Sequence, residues 1–149
     1  MSAIPKHTAK AIIFTCMDER LRNHIENIIR SLPGGAFHAA LAGGGGAFSF
    51  EPDKHVALKQ VVAAHKINQI TDIYLESHLG CGAYGLAGIT FANSQAEITK
   101  LHDDLSTARR VITEALLAEG VAAGTVHVHT RVIDLHGKPI DRPVLAKTA

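Results

Sequence analysis

Apolar and polar positions fall into blocks along this chain, and each block predicts an element. The run KAIIFTC, residues 10–16, is continuous and rich in Ile and Phe, so it predicts a buried strand. Leu21, Ile25, Ile28 and Ile29 then recur at helical spacing until LPGG stops the pattern. GAFHAAL, 35–41, is a weaker strand, followed by four glycines at 43–46. PDKHVALKQVVAAHKI, 52–67, opens with Pro and Asp and predicts a helix, and QITDIYLESH, 69–78, is the next strand. Ser94 with Glu97 has capping-box spacing. It opens a long helix with Leu101, Leu105, Ile112 and Leu116 on one face, which Gly120 ends. TVHVHTRVIDL, 125–135, alternates as a strand does, and HGKP turns the chain back into IDRPVL as a closing hairpin.

Strands alternating with helices imply an α/β fold, a mainly parallel open sheet with helices on both faces. We expect one domain over 10–149, preceded by a flexible arm at 1–9. With 46% apolar residues, a chain of this length can bury a normal core without staples. The formal charge is +1 and no dense Lys/Arg cluster occurs, so nothing asks for nucleic acid or a membrane surface. MSAIPKHTAK lacks the apolar segment of a secretory signal, and no stretch approaches the ~18 apolar residues of a membrane span. The expectation is a cytoplasmic protein whose two cysteines are ligands or free thiols rather than a disulfide.

Those cysteines sit in informative places. Cys16 ends the first strand, and Asp18 and Arg20 follow it in FTCMDER. His78 and Cys81 lie at the end of the third strand in ESHLGCGAYG. Open α/β sheets bind ligands beyond the carboxyl ends of their strands, where the strand order reverses. If the order is 2-1-3-4, Cys16, His78 and Cys81 converge there. Two thiolates and an imidazole are a known set for catalytic zinc, with water in the fourth place. Zinc brings the pKa of such a water toward about 7. Arg20 can hold Asp18 in an ion pair, leaving Asp18 to accept a hydrogen bond from that water. Taken singly the pieces are ordinary: a cysteine at a strand end is commonly a small core residue, and Asp-x-Arg a surface ion pair.

CMDER at 16–20 together with HLGC at 78–81 resembles the paired motifs of the β-class carbonic anhydrases, and the tail VHVHTRVIDLHGKPI is similar to that family's closing strand-turn-strand. The resemblance runs in order over most of residues 10–140. It implies zinc bound by Cys16, His78 and Cys81, an Asp18–Arg20 dyad beside it, and a sheet of order 2-1-3-4. It also implies a homodimer or higher even oligomer whose clefts lie at the subunit boundary. The implied reaction is reversible hydration of CO2 to bicarbonate by a zinc-bound hydroxide. Two alternatives stand beside it: hydrolysis of carbonyl sulfide or carbon disulfide on the same zinc, and a non-catalytic α/β binding domain. This chain is short for the family, and where the family tends to read Ala-Gly-Asn it has Ala42-Gly43-Gly44.

Other features point elsewhere, each with an ordinary reading beside it. Gly80, Gly82 and Gly85 fit G-x-G-x-x-G, a dinucleotide signature, but after the third strand rather than the first. Glycines 43–46 form either an anion nest or a close backbone approach beside the crevice. Gly43, Gly44, Gly82, Phe37 and Tyr84 are the candidate substrate-pocket residues, with Phe48 and Phe91 as further members of an apolar wall. His127 and His129 share a strand face, as a metal pair or a polar surface would. His24, His55, His65 and His102 are expected to be solvated on helices.

Overall fold

Ala11–Thr15 (β1) is buried at all five positions, as befits an inner strand. It pairs in parallel with Phe37–Ala40 (β2) on one side and Asp72–His78 (β3) on the other, and β3 pairs in parallel with His127–Ile133 (β4). The computed structural model describes residues 5–144; the first four residues of the expected arm and the last five of the expected domain lie outside the described residues. The sheet order is 2-1-3-4, all parallel, so the fold is α/β as the block pattern predicts. The helices are Arg22–Ser31 (α1), Asp53–Asn68 (α2), Gly82–Leu86 (α3) and Ser94–Ala118 (α4). None of them is long and apolar enough to cross a membrane. Thr8 donates to the Gly34 carbonyl at 3.0 Å and His7 packs on Phe37, so this part of the expected arm is tied to the domain.

The closing hairpin is shorter than the sequence suggests. Ile133 and Pro139 make a single antiparallel bridge, and Ile140 N–H donates to Val132 at 2.8 Å. Pro139 has no N–H to extend the ladder. The cap of α4 also differs. Asn93, not Ser94, accepts the Ala96 N–H, at 2.9 Å. Glu97 instead accepts the Gly80 N–H at 2.6 Å, tying α4 to the loop that carries Cys81.

Successive strand residues face opposite sides of the sheet. Ile12, Phe14, Ile73, Leu75 and Val132 join Val61 of α2 and Leu101, Leu105 and Ile112 of α4 in the main core. The glycine run belongs to this face. A Cβ on Gly45 would lie 2.5 Å from Leu105 Cδ2, and one on Gly46 would lie 2.6 Å from the Tyr84 hydroxyl. Glu76 points the other way, toward α1. Its carboxylate is 3% exposed and accepts from His24 Nε2 at 3.1 Å and from Arg131 Nη2 at 2.7 Å. His24 is therefore not a solvated helix residue. The Gly137 turn lies against its ring, so closely that a Cβ there would sit 2.1 Å from Nδ1.

One charge thus clamps α1, β3 and β4 together. Arg131→Met should cost about 3 kcal/mol, the low end for stripping one partner from a buried pair, because Arg131 is 39% exposed and His24 remains. Urea unfolding at neutral pH measures it. Adding Glu76→Leu to that variant should restore part of the loss, since the unpaired buried charge is then gone; a double variant less stable than the single one contradicts the clamp.

Candidate metal centre

The strand order reverses between β1 and β3, and the two motifs sit at the carboxyl ends of these parallel strands. Cys16 follows β1 directly, His78 is the last residue of β3, and Cys81 occupies the cap position of α3. One ligand atom from each lies within 4.8 Å of the others. The two sulfurs are 3.7 Å apart. All three residues are buried.

His78 carries the most informative atom. Its Nδ1 is 2.8 Å from the Leu79 carbonyl, which can only accept, so Nδ1 holds the proton. In the neutral ring, Nε2 then presents a lone pair toward the cysteines. That Nε2 is buried without a hydrogen-bond partner. Buried polar atoms rarely stay unpaired, and one between two thiols has the form of an imidazole ligand awaiting a cation. The donor set is the two-sulfur, one-nitrogen set of a catalytic zinc site.

Charge is shared across the cluster. A Cys81 thiol donating to the Cys16 sulfur pulls Cys16 well below the ordinary thiol range, against the opposing effect of burial. The same shared proton, with burial now adding to it, pushes Cys81 up.

Asp18 is fixed by Arg20 in a fork. Arg20 Nε donates to Oδ1 at 2.9 Å and Nη2 to Oδ2 at 2.6 Å, and the Arg20 main-chain N–H adds a third bond to Oδ1 at 3.0 Å. The guanidinium holds the carboxyl well below the usual carboxylate range. Oδ2 stands 3.8 Å from His78 Nε2, so the dyad borders the donor cluster. One cavity opens on the centre and a second lies beside the neighbouring Ala42 and Ala83. The first, of about 280 Å³, is lined by Cys16, Met17, Asp18, Arg22 and His38. The other, about 340 Å³, is lined by Ala42, Phe50, Glu51, Ala83 and Leu86.

The candidate pocket residues are distributed unevenly around this centre. Gly43 and Gly44 lie against it: a Cβ on Gly44 would be 2.8 Å from the Cys16 nitrogen. Gly82 opens α3 directly after Cys81, with open space where a side chain would project. Tyr84 is 1% exposed, and its hydroxyl donates to buried Asp104 at 2.7 Å, so it braces α3 on α4 from below. Phe48 is core as well. Phe37 starts β2, opposite Ile12, at the amino end of the sheet and away from the centre. His129 pairs with Asp72 at 2.8 Å and stacks on Tyr74. Among the described residues Cys16, His78 and Cys81 form the one group of three or more with metal-ligand spacing.

No protein-family profile matches the sequence, and no curated protein does. Solved structures do. An apo carbon disulfide hydrolase aligns with 94% of this chain and 81% of its own, at 17% identity and a TM-score of 0.53. The β-carbonic anhydrase isoform I of Trichomonas vaginalis aligns with 94% of this chain and 85% of its own, at 16% identity and 0.53. The fold is that of the β-carbonic anhydrases. A tetrameric β-carbonic anhydrase of Sordaria macrospora shares it over 90% of this chain and 80% of its own, at 16% identity and 0.53. At such identities the likeness lies in the path of the backbone. The β-carbonic anhydrase fold nonetheless puts the two sequence motifs side by side, which neither motif does alone.

Proposed function

We propose that the chain is a zinc enzyme that interconverts CO2 and bicarbonate, with Cys16, His78 and Cys81 as the metal ligands. The observation that carries this reading is the buried, unpaired His78 Nε2, facing two cysteines beside a forked Asp–Arg pair. When bound there, zinc supplies the Lewis acidity that lets water ionise near neutral pH and attack the carbon of CO2. The protein's own groups do the rest. Leu79 fixes the His78 tautomer. Asp18, ionised and held by Arg20, would accept a hydrogen bond from the attacking water and so orient its lone pair. Cys16, His78 and Cys81 are themselves buried, which limits the bulk water that reaches the ligand atoms.

The test is metal stoichiometry of the purified protein combined with a CO2 hydration assay. About one zinc per chain and turnover of CO2 is the expected result; a protein that takes up no zinc overturns the reading. The carbon disulfide hydrolase among the structural relatives favours a second reading, hydrolysis of carbon disulfide or carbonyl sulfide at the same centre. Zinc with turnover of the sulfur compounds and none of CO2 would establish it instead.

The reading extends to a soluble cytoplasmic protein that assembles as a homodimer or higher even oligomer. Met17 and Leu86 are large apolar side chains, 68% and 91% exposed; Met17 lines the cavity on the centre and Leu86 the cavity beside Ala83. The Sordaria macrospora relatives are tetramers. Light scattering at micromolar concentration should return at least twice the chain mass; a monomer counts against a cleft completed by a second subunit.

A further inference from the structure

Leu79 and Gly80 separate His78 from Cys81, and the peptide group that joins them is bonded at both ends. Its carbonyl, on Leu79, accepts from His78 Nδ1 at 2.8 Å. Its N–H, on Gly80, donates to Glu97 Oε1 at 2.6 Å. The C=O and N–H of a trans peptide point in opposite directions. Imidazole, peptide and carboxylate therefore stand in one line of hydrogen bonds, from the end of β3 to the first turn of α4.

Both ends of that line are anchored. The Leu79 N–H donates to the Ile133 carbonyl of β4 at 3.0 Å, and α4 is seated in the core by Leu101, Leu105 and Ile112. An acidic residue in the first turn of a helix is favourable on its own account. That role needs no partner outside the helix, whereas Glu97 reaches seventeen residues back to the segment between two candidate ligands. Groups in a chain of hydrogen bonds polarise one another, and a bond to a charged acceptor is the strong kind. A carboxylate on the peptide N–H draws electron density onto the Leu79 oxygen, which then holds the Nδ1 proton more firmly. Metal-binding histidines commonly give their second N–H to a carboxylate directly. Here a peptide stands between the two.

We propose that Glu97 is a positioning residue of the metal centre, acting on His78 through the Leu79–Gly80 peptide. It keeps that peptide turned so that the Leu79 carbonyl fixes the His78 ring with Nε2 toward the cysteines, and its charge makes Nε2 a stronger donor to a cation. This role rests on the metal reading above.

The test uses zinc-loaded, nitrogen-labelled protein and needs no turnover. The His78 Nδ1 proton is expected as a slowly exchanging ring N–H, shifted downfield by its bond to Leu79. Glu97→Ala should move that resonance upfield and speed its exchange. Zinc affinity, read by competition with a chelator, should fall roughly 10-fold, the low end for loss of an outer partner, because Glu97 acts at one remove. Glu97→Gln keeps an acceptor and drops the charge, so it should lie between wild type and Glu97→Ala in both measurements. Asn93→Ala is the control. It removes the cap of α4, the bond from the Ala96 N–H at 2.9 Å, and leaves the Gly80 bond in place. It should lower the melting temperature without moving the His78 resonance or the zinc affinity. A resonance and an affinity unmoved in Glu97→Ala overturn the inference and leave the metal site standing. Equal losses in Asn93→Ala overturn it too, since the effect would then belong to the start of the helix. Glu97→Gln indistinguishable from wild type removes the part assigned to charge. A wild-type protein that binds no zinc overturns the metal reading and this inference together.

Discussion

Cys81→Ser should purify with almost no zinc and should no longer respond to a chelator. The hydroxyl of serine ionises far less readily than a thiol, and its oxygen is a poorer match for zinc in a sulfur-rich site. Removing a direct ligand should weaken binding well beyond the roughly 10–100-fold cost of losing an outer partner. Stability reports the same event independently. A metal that binds only the folded chain adds RT ln(1 + [L]/Kd), about 4 kcal/mol at a thousand-fold excess over Kd. A chelator should therefore lower the melting temperature of the wild-type protein and leave that of Cys81→Ser where it is. The apo forms should melt close together, because Cys81 is small and its hydrogen-bonding partner in the apo form is the Cys16 sulfur 3.7 Å away. Full zinc occupancy in Cys81→Ser would remove Cys81 from the ligand set.

The elements were legible where the chain's period was unambiguous. KAIIFTC is continuous in Ile and Phe because β1 is covered on both faces, and the strands flanking it came out within a few residues of their observed ends. The meeting of Cys16 with His78 and Cys81 was legible too, but only through the topology. A parallel sheet with its switch at β1 and β3 leaves their carboxyl ends adjacent. Tertiary contacts account for what was missed. His24 lies on a helix that reads as half polar, yet Glu76, fifty-two residues away, draws it inward, and nothing local signals that pairing. Ser94 and Glu97 have the spacing of a capping box, but Gly80 claims the Glu97 carboxylate and Asn93 takes the cap. Phe37 and Tyr84 are aromatic residues near glycines in sequence; in space one is at the far end of the sheet and the other beneath α3. The four glycines were readable as a close approach of backbones. What they approach — Glu76, Leu105, Tyr84 and the Cys16 main chain — was not.

The dyad offers the sharpest separation between a catalytic centre and a structural metal. Arg20→Ala should retain its zinc and lose most of its CO2 hydration. Arg20 touches no candidate ligand; it acts through Asp18, to which it gives three hydrogen bonds. Arg20→Ala keeps the main-chain bond and loses the two from the guanidinium, and the carboxylate can then rotate toward the donor cluster, since Oδ2 already stands 3.8 Å from His78 Nε2. A carboxylate that reaches the metal fills the place that water needs, and one that swings to solvent no longer orients anything. Either way the loss falls on turnover, on the order of 10–100-fold. Asp18→Asn should fall similarly, because an amide can offer its donor where an acceptor is required. Stability should barely move, because the Arg20 side chain is 50% exposed and the pair lies at the surface. A structural zinc predicts a different pattern, with turnover unaltered in both variants. Zinc content and hydration rate measured on the same preparations separate the two. Unchanged rates at full occupancy would sink the orienting role of Asp18, whereas lost zinc in Arg20→Ala would show the dyad to be part of the metal's hold rather than of its chemistry.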